Sequence, residues 1–141
     1  MKKIAALLFM FSVFVSYCFS QTVNITVEVT NVAVNGGKVY LAIFASAEEF
    51  RKEEPSLAFD LGDGNSVLIK QLSLPPGDYV ISAFQDENGN QKLDYGMFGI
   101  PREMIGLSNY FGRGLPTKIF DRQKITVNSS TGKVVIGLYR F

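Results

Sequence analysis

The chain has 141 residues, with 14 basic and 13 acidic side chains, no histidine and a single cysteine, Cys18. Without histidine there is no Ser-His-Asp hydrolysis, no histidine-held haem and none of the usual zinc sites. The near-neutral charge lacks the basic stripe of a nucleic-acid binder, so nucleic acid is not an expected partner.

Lys2 and Lys3 precede an apolar run from Ile4 to Val15, and Ser16-Tyr17-Cys18-Phe19-Ser20 follows. That is the order of a secretory signal, and the run is shorter than the ~20 residues a membrane span needs. Cleavage after Ser20 is expected, with an exported domain over residues 21–141 in the periplasm or outside the cell. That domain has no transmembrane segment in prospect. Lipidation at Cys18 fits less well, because bulky Tyr17 stands where a small residue normally precedes the modified cysteine. Removing Lys2 and Lys3 from 14 basic residues leaves 12 against 13 acidic ones. The only thiol leaves with the signal, so Cys nucleophiles and disulfides go too.

Val23, Ile25, Val27 and Val29 alternate with Asn24, Thr26, Glu28 and Thr30, the period-two pattern of a half-buried strand. Asn35-Gly36-Gly37 is a turn signal, and Lys38–Ala45 reads as the second strand of a hairpin. Ala47–Lys52 reads as one or two helical turns that stop before Pro55. Asp63-Gly64-Asn65 turns the chain into a strand over Ser66–Leu72. Leu74-Pro75-Pro76-Gly77-Asp78-Tyr79 is a tight turn into the next strand, Tyr79–Phe84. Asp86–Asp94 is polar, and Tyr95–Thr117 is rich in Gly, Pro and aromatics without periodicity, a long functional or packing loop. Arg122–Asn128 and Lys133–Tyr139 are expected to close the domain as a hairpin across Ser129-Ser130-Thr131-Gly132.

The expected fold is therefore an all-β, antiparallel sandwich of about seven strands. The terminal Tyr139-Arg140-Phe141 also fits an outer-membrane barrel. Such a barrel needs strands of ~9–11 residues, and too little chain remains for eight of them.

The series Asp86-Glu87-Asn88-x-Asn90-x-Lys92-Leu93-Asp94, Gly99-Ile100-Pro101-x-Glu103 and Ser108-Asn109, preceded by the Pro-Pro-Gly turn, resembles the bacterial family catalogued as domain of unknown function 2141. The resemblance runs from about Val27 to Tyr139. It implies an exported β-sandwich of the prealbumin-like or carboxypeptidase-regulatory type, and it implies no activity. Members often carry His where this chain has Gln85, and Gly where it has Gln91. Any role of that histidine is therefore absent here.

Asp86, Asn88, Asn90 and Asp94 stand at relative positions one, three, five and nine. With the Lys92 carbonyl at seven, they offer the oxygen ligands that calcium prefers. Met97 replaces the bidentate Glu at position twelve, and Gln91 the glycine at six. A site of this kind would fall in the weak ~10⁻⁴–10⁻³ M class. The competing reading is a metal-free turn, because Asn, Asp and Gly bond neighbouring backbone and accept left-handed geometry. Glu103 is expected to lock the long loop by accepting hydrogen bonds from backbone or from Arg113. Tyr95, Phe98, Tyr110 and Phe111 form either a platform for a glycan, a peptide or an envelope protein, or the lid of the sandwich. Glu103 belongs to the same candidate ligand surface, and Ser108-Asn109 is either part of it or a turn.

The sequence favours a non-catalytic binding or accessory module. A structural or interaction domain without metal is the second reading. A hydrolase pairing Asp86 or Asp94 with Glu103 is the third, and it needs two carboxyls flanking a cleft.

Overall fold

The computed structural model describes residues 21–141, so the expected signal segment and Cys18 lie outside the described residues. Eight strands and two short helices follow in the order β1 (Val23–Thr30), β2 (Lys38–Phe44), α1 (Ala47–Lys52), β3 (Leu57–Gly62), β4 (Leu68–Leu74), β5 (Gly77–Asp86), β6 (Met104–Leu107), α2 (Phe120–Gln123), β7 (Ile125–Val127) and β8 (Lys133–Gly137). They form an all-β sandwich. One sheet has the order β4-β1-β8, the other β3-β2-β5-β6, and β7 joins the same edge of β5 that carries β6. Ten residues long, β5 has room for both: Gly77–Tyr79 pair with β7 and Ser82–Gln85 with β6.

Three sequence expectations need correction. β1 and β2 form no hairpin: β1 pairs with β4 and β8, whereas β2 pairs with β3 and β5. β7 and β8 likewise part, to β5 and β1. The sandwich is also not wholly antiparallel, because β1 and β8 run parallel, from Thr26↔Lys133 to Thr30↔Gly137. The cause is common to all three. Alternation tells which face of a strand is apolar but not which strand lies beside it. Here the turn segments 31–37 and 128–132 carry the chain from one sheet across to the other.

The first crossover is fixed at both ends. Val32 within it is buried in the core. Gln85, fully buried on β5, accepts a hydrogen bond from Ala33 N at 2.9 Å and donates to Ala33 O at 2.8 Å and Gly37 O at 3.0 Å. Gly37 has φ +97°, and a Cβ there would lie 1.9 Å from the Asp86 carbonyl oxygen. Only glycine admits both that dihedral and that approach.

The inner faces meet in one core. Ile25, Val27 and Val29 of β1, Leu72 and Leu74 of β4, and Val134 and Ile136 of β8 pack on Val39, Leu41 and Ile43 of β2 and on Ile81 and Ala83 of β5. Each of the larger side chains contributes about 1.5–3 kcal/mol by leaving water. Tyr79 bends back over its own turn, and its hydroxyl donates to Pro75 O at 2.9 Å.

Helix α1 follows from an N-cap at Ser46 and a variant of the capping box in which Glu49 reaches the residue before the cap. Ser46 accepts from Glu49 N at 3.2 Å, and the Glu49 carboxylate accepts from Ala45 N at 2.8 Å. The helix ends on Glu53 in left-handed geometry (φ 58°), two residues before Pro55, and buries Phe50 against Phe44. No helix among the described residues is long and apolar enough to cross a membrane.

Candidate functional site

Strands β2 and β5 are apolar on both faces. Their outer side chains, Tyr40, Ala42 and Phe44 on β2 and Val80, Ser82 and Phe84 on β5, point away from the core. At one end Phe44, Val80 and Leu107 are sealed by Phe50, Tyr110 and Phe120 into a second, smaller core. At the other end the face is only roofed over. The polar loop, the Gly-Pro loop and residues 115–118 arch above it, leaving a cleft of about 610 Å³ whose lining includes Tyr40, Ala42, Phe84, Tyr95, Pro101 and Leu115. Tyr40 and Phe84 stack on its floor with ring centroids 5.5 Å apart. A second hollow, about 740 Å³ by the same measure, lies between 21–24 and 128–132, and its lining is mostly polar turn residues. Ligand sites are concave and lined by apolar and aromatic side chains with few polar groups, and of the two hollows the first fits that description better.

A charged clasp ties the roof to the end of α1 at the edge of the cleft. The left-handed stop of α1 presents the Glu53 carboxylate, which pairs with Lys118 and accepts a hydrogen bond from the Tyr95 hydroxyl at 3.0 Å. The Lys118 ammonium also lies 4.5 Å from the centroid of the Tyr95 ring. Burial, and then the charge of Glu53, pushes the Tyr95 phenol above its usual pKa. For Lys118 burial acts downward, but the Glu53 hydrogen bond and the neighbouring Tyr95 outweigh it and hold the ammonium above the ordinary lysine value.

The Asp86–Asp94 loop forms the outer wall of this roof. Asp86 is buried and accepts hydrogen bonds from three backbone amides, Gly89 N at 2.9 Å, Asn90 N at 3.2 Å and Gln91 N at 2.8 Å. Asn88 and Asn90 both donate their side-chain amides to the same Asp94 oxygen, at 2.6 and 2.8 Å. Their own carbonyl oxygens accept from Asn90 N and Lys92 N. Glu103 is buried beneath, and its two oxygens accept from Glu87 N and Asp94 N at 3.0 and 3.2 Å. It accepts from backbone amides, not from Arg113, and the loop it locks is Asp86–Asp94 and not the long loop Tyr95–Thr117 expected from the sequence. Lys92 is exposed, and it lines the cleft.

The remaining expected residues divide between two places. Ser108 is nearly buried, accepting from Ile81 N at 3.1 Å and donating to Gln123 O at 2.6 Å. Asn109 donates to Arg122 O at 3.0 Å, so the pair straps β6 to α2. Tyr110 is half-buried, edge-on to Tyr139. Phe98 and Phe111 stand out in solvent, 92 % and 76 % exposed. The four aromatics are thus neither a single platform nor a single lid. None of Asp86, Asp94 and Glu103 lines the cleft. Among the described residues no group of three or more Asp, Glu, Cys or His side chains is placed to hold a metal ion.

Sequence reasoning did not find the cleft. Its signal is the runs Lys38–Phe44 and Tyr79–Phe84, which are apolar almost without alternation and so mark strands covered on both faces. Glu53, Tyr95 and Lys118 come from distant parts of the chain, and no local motif joins them.

Fold and site together define a class: a small β-sandwich with a roofed apolar cleft on the outer face of one sheet. The family model described as "Uncharacterized protein conserved in bacteria (DUF2141)" matches residues 27–137, and the chain belongs to that family. No curated protein and no solved structure matches it.

Proposed function

We propose that the protein is an exported, non-catalytic binding module whose ligand site is the cleft between the outer face of β2–β5 and its roof. The observation that carries this reading is the cleft itself, about 610 Å³ and floored by stacked aromatics beside a sealed core. A domain that only needed stability would close that face as it closes the other end. The carboxylates nearest to a hydrolase pair, Asp94 and Glu103, are engaged by backbone amides and the Asn side chains.

The test is titration with a neutral naphthylamine dye, using protein expressed from the full chain, its processed N-terminus read by mass spectrometry. The dye is expected to bind saturably, one per chain. Ala42→Trp, which fills the floor, is expected to weaken binding about tenfold or more while shifting Tm by only a few degrees. Equal binding by the two proteins would sink the proposal.

A weak calcium ion on the outer wall is a second element of the reading. One observation favours it: Asn88, Asn90 and Asp94 converge on a single point, and rotating the two amides would turn three oxygens toward it. Asp86 is directed at the backbone instead and would brace the loop. With a dissociation constant of ~0.1–1 mM, 5 mM calcium should raise stability by ~1–2.3 kcal/mol. The rise should vanish in Asp94→Ala. An unchanged melt in calcium against EDTA leaves the loop as an Asx-rich turn.

A further inference from the structure

The rim of the cleft carries an apolar tip that nothing among the described residues covers. Residues Met97–Gly99 form a single 3-10 turn, pinned at its base by the Tyr95↔Pro101 bridge and by Gly96 N donating to Ile100 O at 2.7 Å. Gly99 lines the cleft, so the tip stands at its mouth. Met97 is 76 % exposed, and Leu115, another lining residue, is 51 % exposed. Phe98 is more exposed than either, and it adopts φ +63°, a conformation a bulky residue rarely takes. The backbone accepts strain there to hold a phenyl ring in water, and packing among the described residues does not repay it. Strain that the fold does not explain points to function.

Charge identifies what the tip meets. Lys92 and Lys118 line the cleft, and Arg102 follows the tip on the same loop; all three are exposed. Among the described residues neither Lys92 nor Arg102 has an ion-pair partner. Of the nearby carboxylates Glu53 is paired with Lys118 and Glu87 with Arg140, Asp94 is half-buried and Glu103 is buried, so Lys92 and Arg102 are the outermost unpaired charges of the rim. Exposed apolar side chains among unpaired cations, on a firmly tied turn, match the interfacial zone of an anionic bilayer: rings and thioethers enter the acyl boundary while ammonium and guanidinium groups meet lipid phosphates. A protein partner would require a broader apolar surface than one turn provides.

We infer that the rim docks on anionic membranes through Met97 and Phe98, and that the cleft receives an acyl chain there. The second half rests on the proposed ligand site, and the first does not. The assay is flotation with vesicles of phosphatidylglycerol and phosphatidylcholine against phosphatidylcholine alone. Wild type should float with the anionic vesicles only. Phe98→Ser should reduce partitioning about tenfold, and Lys92→Ala with Arg102→Ala by a similar factor that disappears at high salt. These positions are exposed, so the variants should melt as wild type does. In parallel, lysophosphatidylglycerol should displace the naphthylamine dye from the cleft.

Flotation that is absent, or the same in wild type and Phe98→Ser, overturns membrane docking and leaves the tip to a protein partner. Dye binding without displacement by the lysolipid overturns the acyl ligand and leaves the cleft reading standing. Failure of the dye to bind at all removes the cleft reading and the acyl ligand together, with flotation still deciding the docking.

Discussion

The two faces of the β2–β5 sheet are built from the same kinds of residue and end in different states. On the inner face Val39, Leu41, Ile43 and Ile81 are completely buried against the other sheet. On the outer face Tyr40, Ala42 and Phe84 are only half-covered, although their strands are identical in backbone and register. The difference lies in the cover. A regular sheet presents a continuous apolar surface that interdigitates everywhere. An irregular roof tied by Asx turns, one ion pair and a Glu103 strut spans the face without filling it. Stability comes from the first kind of cover, and room for a ligand from the second.

The sharpest way to test that contrast is to truncate one side chain to alanine on each side. Ile81→Ala should cost about 3–4 kcal/mol in urea denaturation, because the cavity it leaves has no way to collapse. Asp86→Ala should come next, at about 2–3 kcal/mol, by stranding three amides of the polar loop. Phe84→Ala, on the cleft side of the same strand as Ile81, should cost only about 1–2 kcal/mol yet abolish saturable dye binding. A larger loss from Phe84→Ala than from Ile81→Ala would reverse the assignment of the two faces.

The smallest effect belongs to the clasp. Lys118→Met breaks a half-exposed ion pair and should change stability by under about 1 kcal/mol, while speeding dye entry in stopped flow. Its pH dependence has a definite sign. The Lys118 pKa in the fold lies above its ordinary value of 10.5, so the clasp contributes fully below that value and fails as pH rises through the higher one. Tyr95, raised from 10.0, is likewise held neutral in the fold, and its contribution disappears over the same alkaline range. Dye entry in the wild type should thus accelerate above pH 10, and that acceleration should be smaller in Lys118→Met, where only the Tyr95 phenol is left to ionise.

Much of the sandwich can be read directly from residues. The alternation at Val23–Thr30 is β1, Ala47–Lys52 is α1, and the Pro-Pro-Gly turn opens β5. Leu57, Phe59 and Leu61 alternate equally well as β3, a strand overlooked between the helix stop and the Asp-Gly turn. β6 is harder to see. It has four residues, and its core-facing Gly106 hides the period, being glycine because a Cβ would lie 2.3 Å from Gly137 O. Partnerships between strands stay invisible because they depend on where each crossover lands. The candidate loop was legible as a set of oxygen-bearing side chains, Asp86 to Asp94, but not the direction in which each points. The cleft was not legible at all, since it is the space between elements that only the fold brings together.

The parallel pairing of β1 with β8 has a mechanical consequence. These are the first and last strands of the fold, and they lie side by side over five registered pairs. Tension applied between the start of one and the end of the other runs along both strands in opposite senses. It loads all the rungs between them in shear together, whereas a pair pulled apart from one end would open one rung at a time. A fold closed in this way resists pulling at its ends through the central strand of its three-stranded sheet, and yields by the rate at which that whole ladder slips.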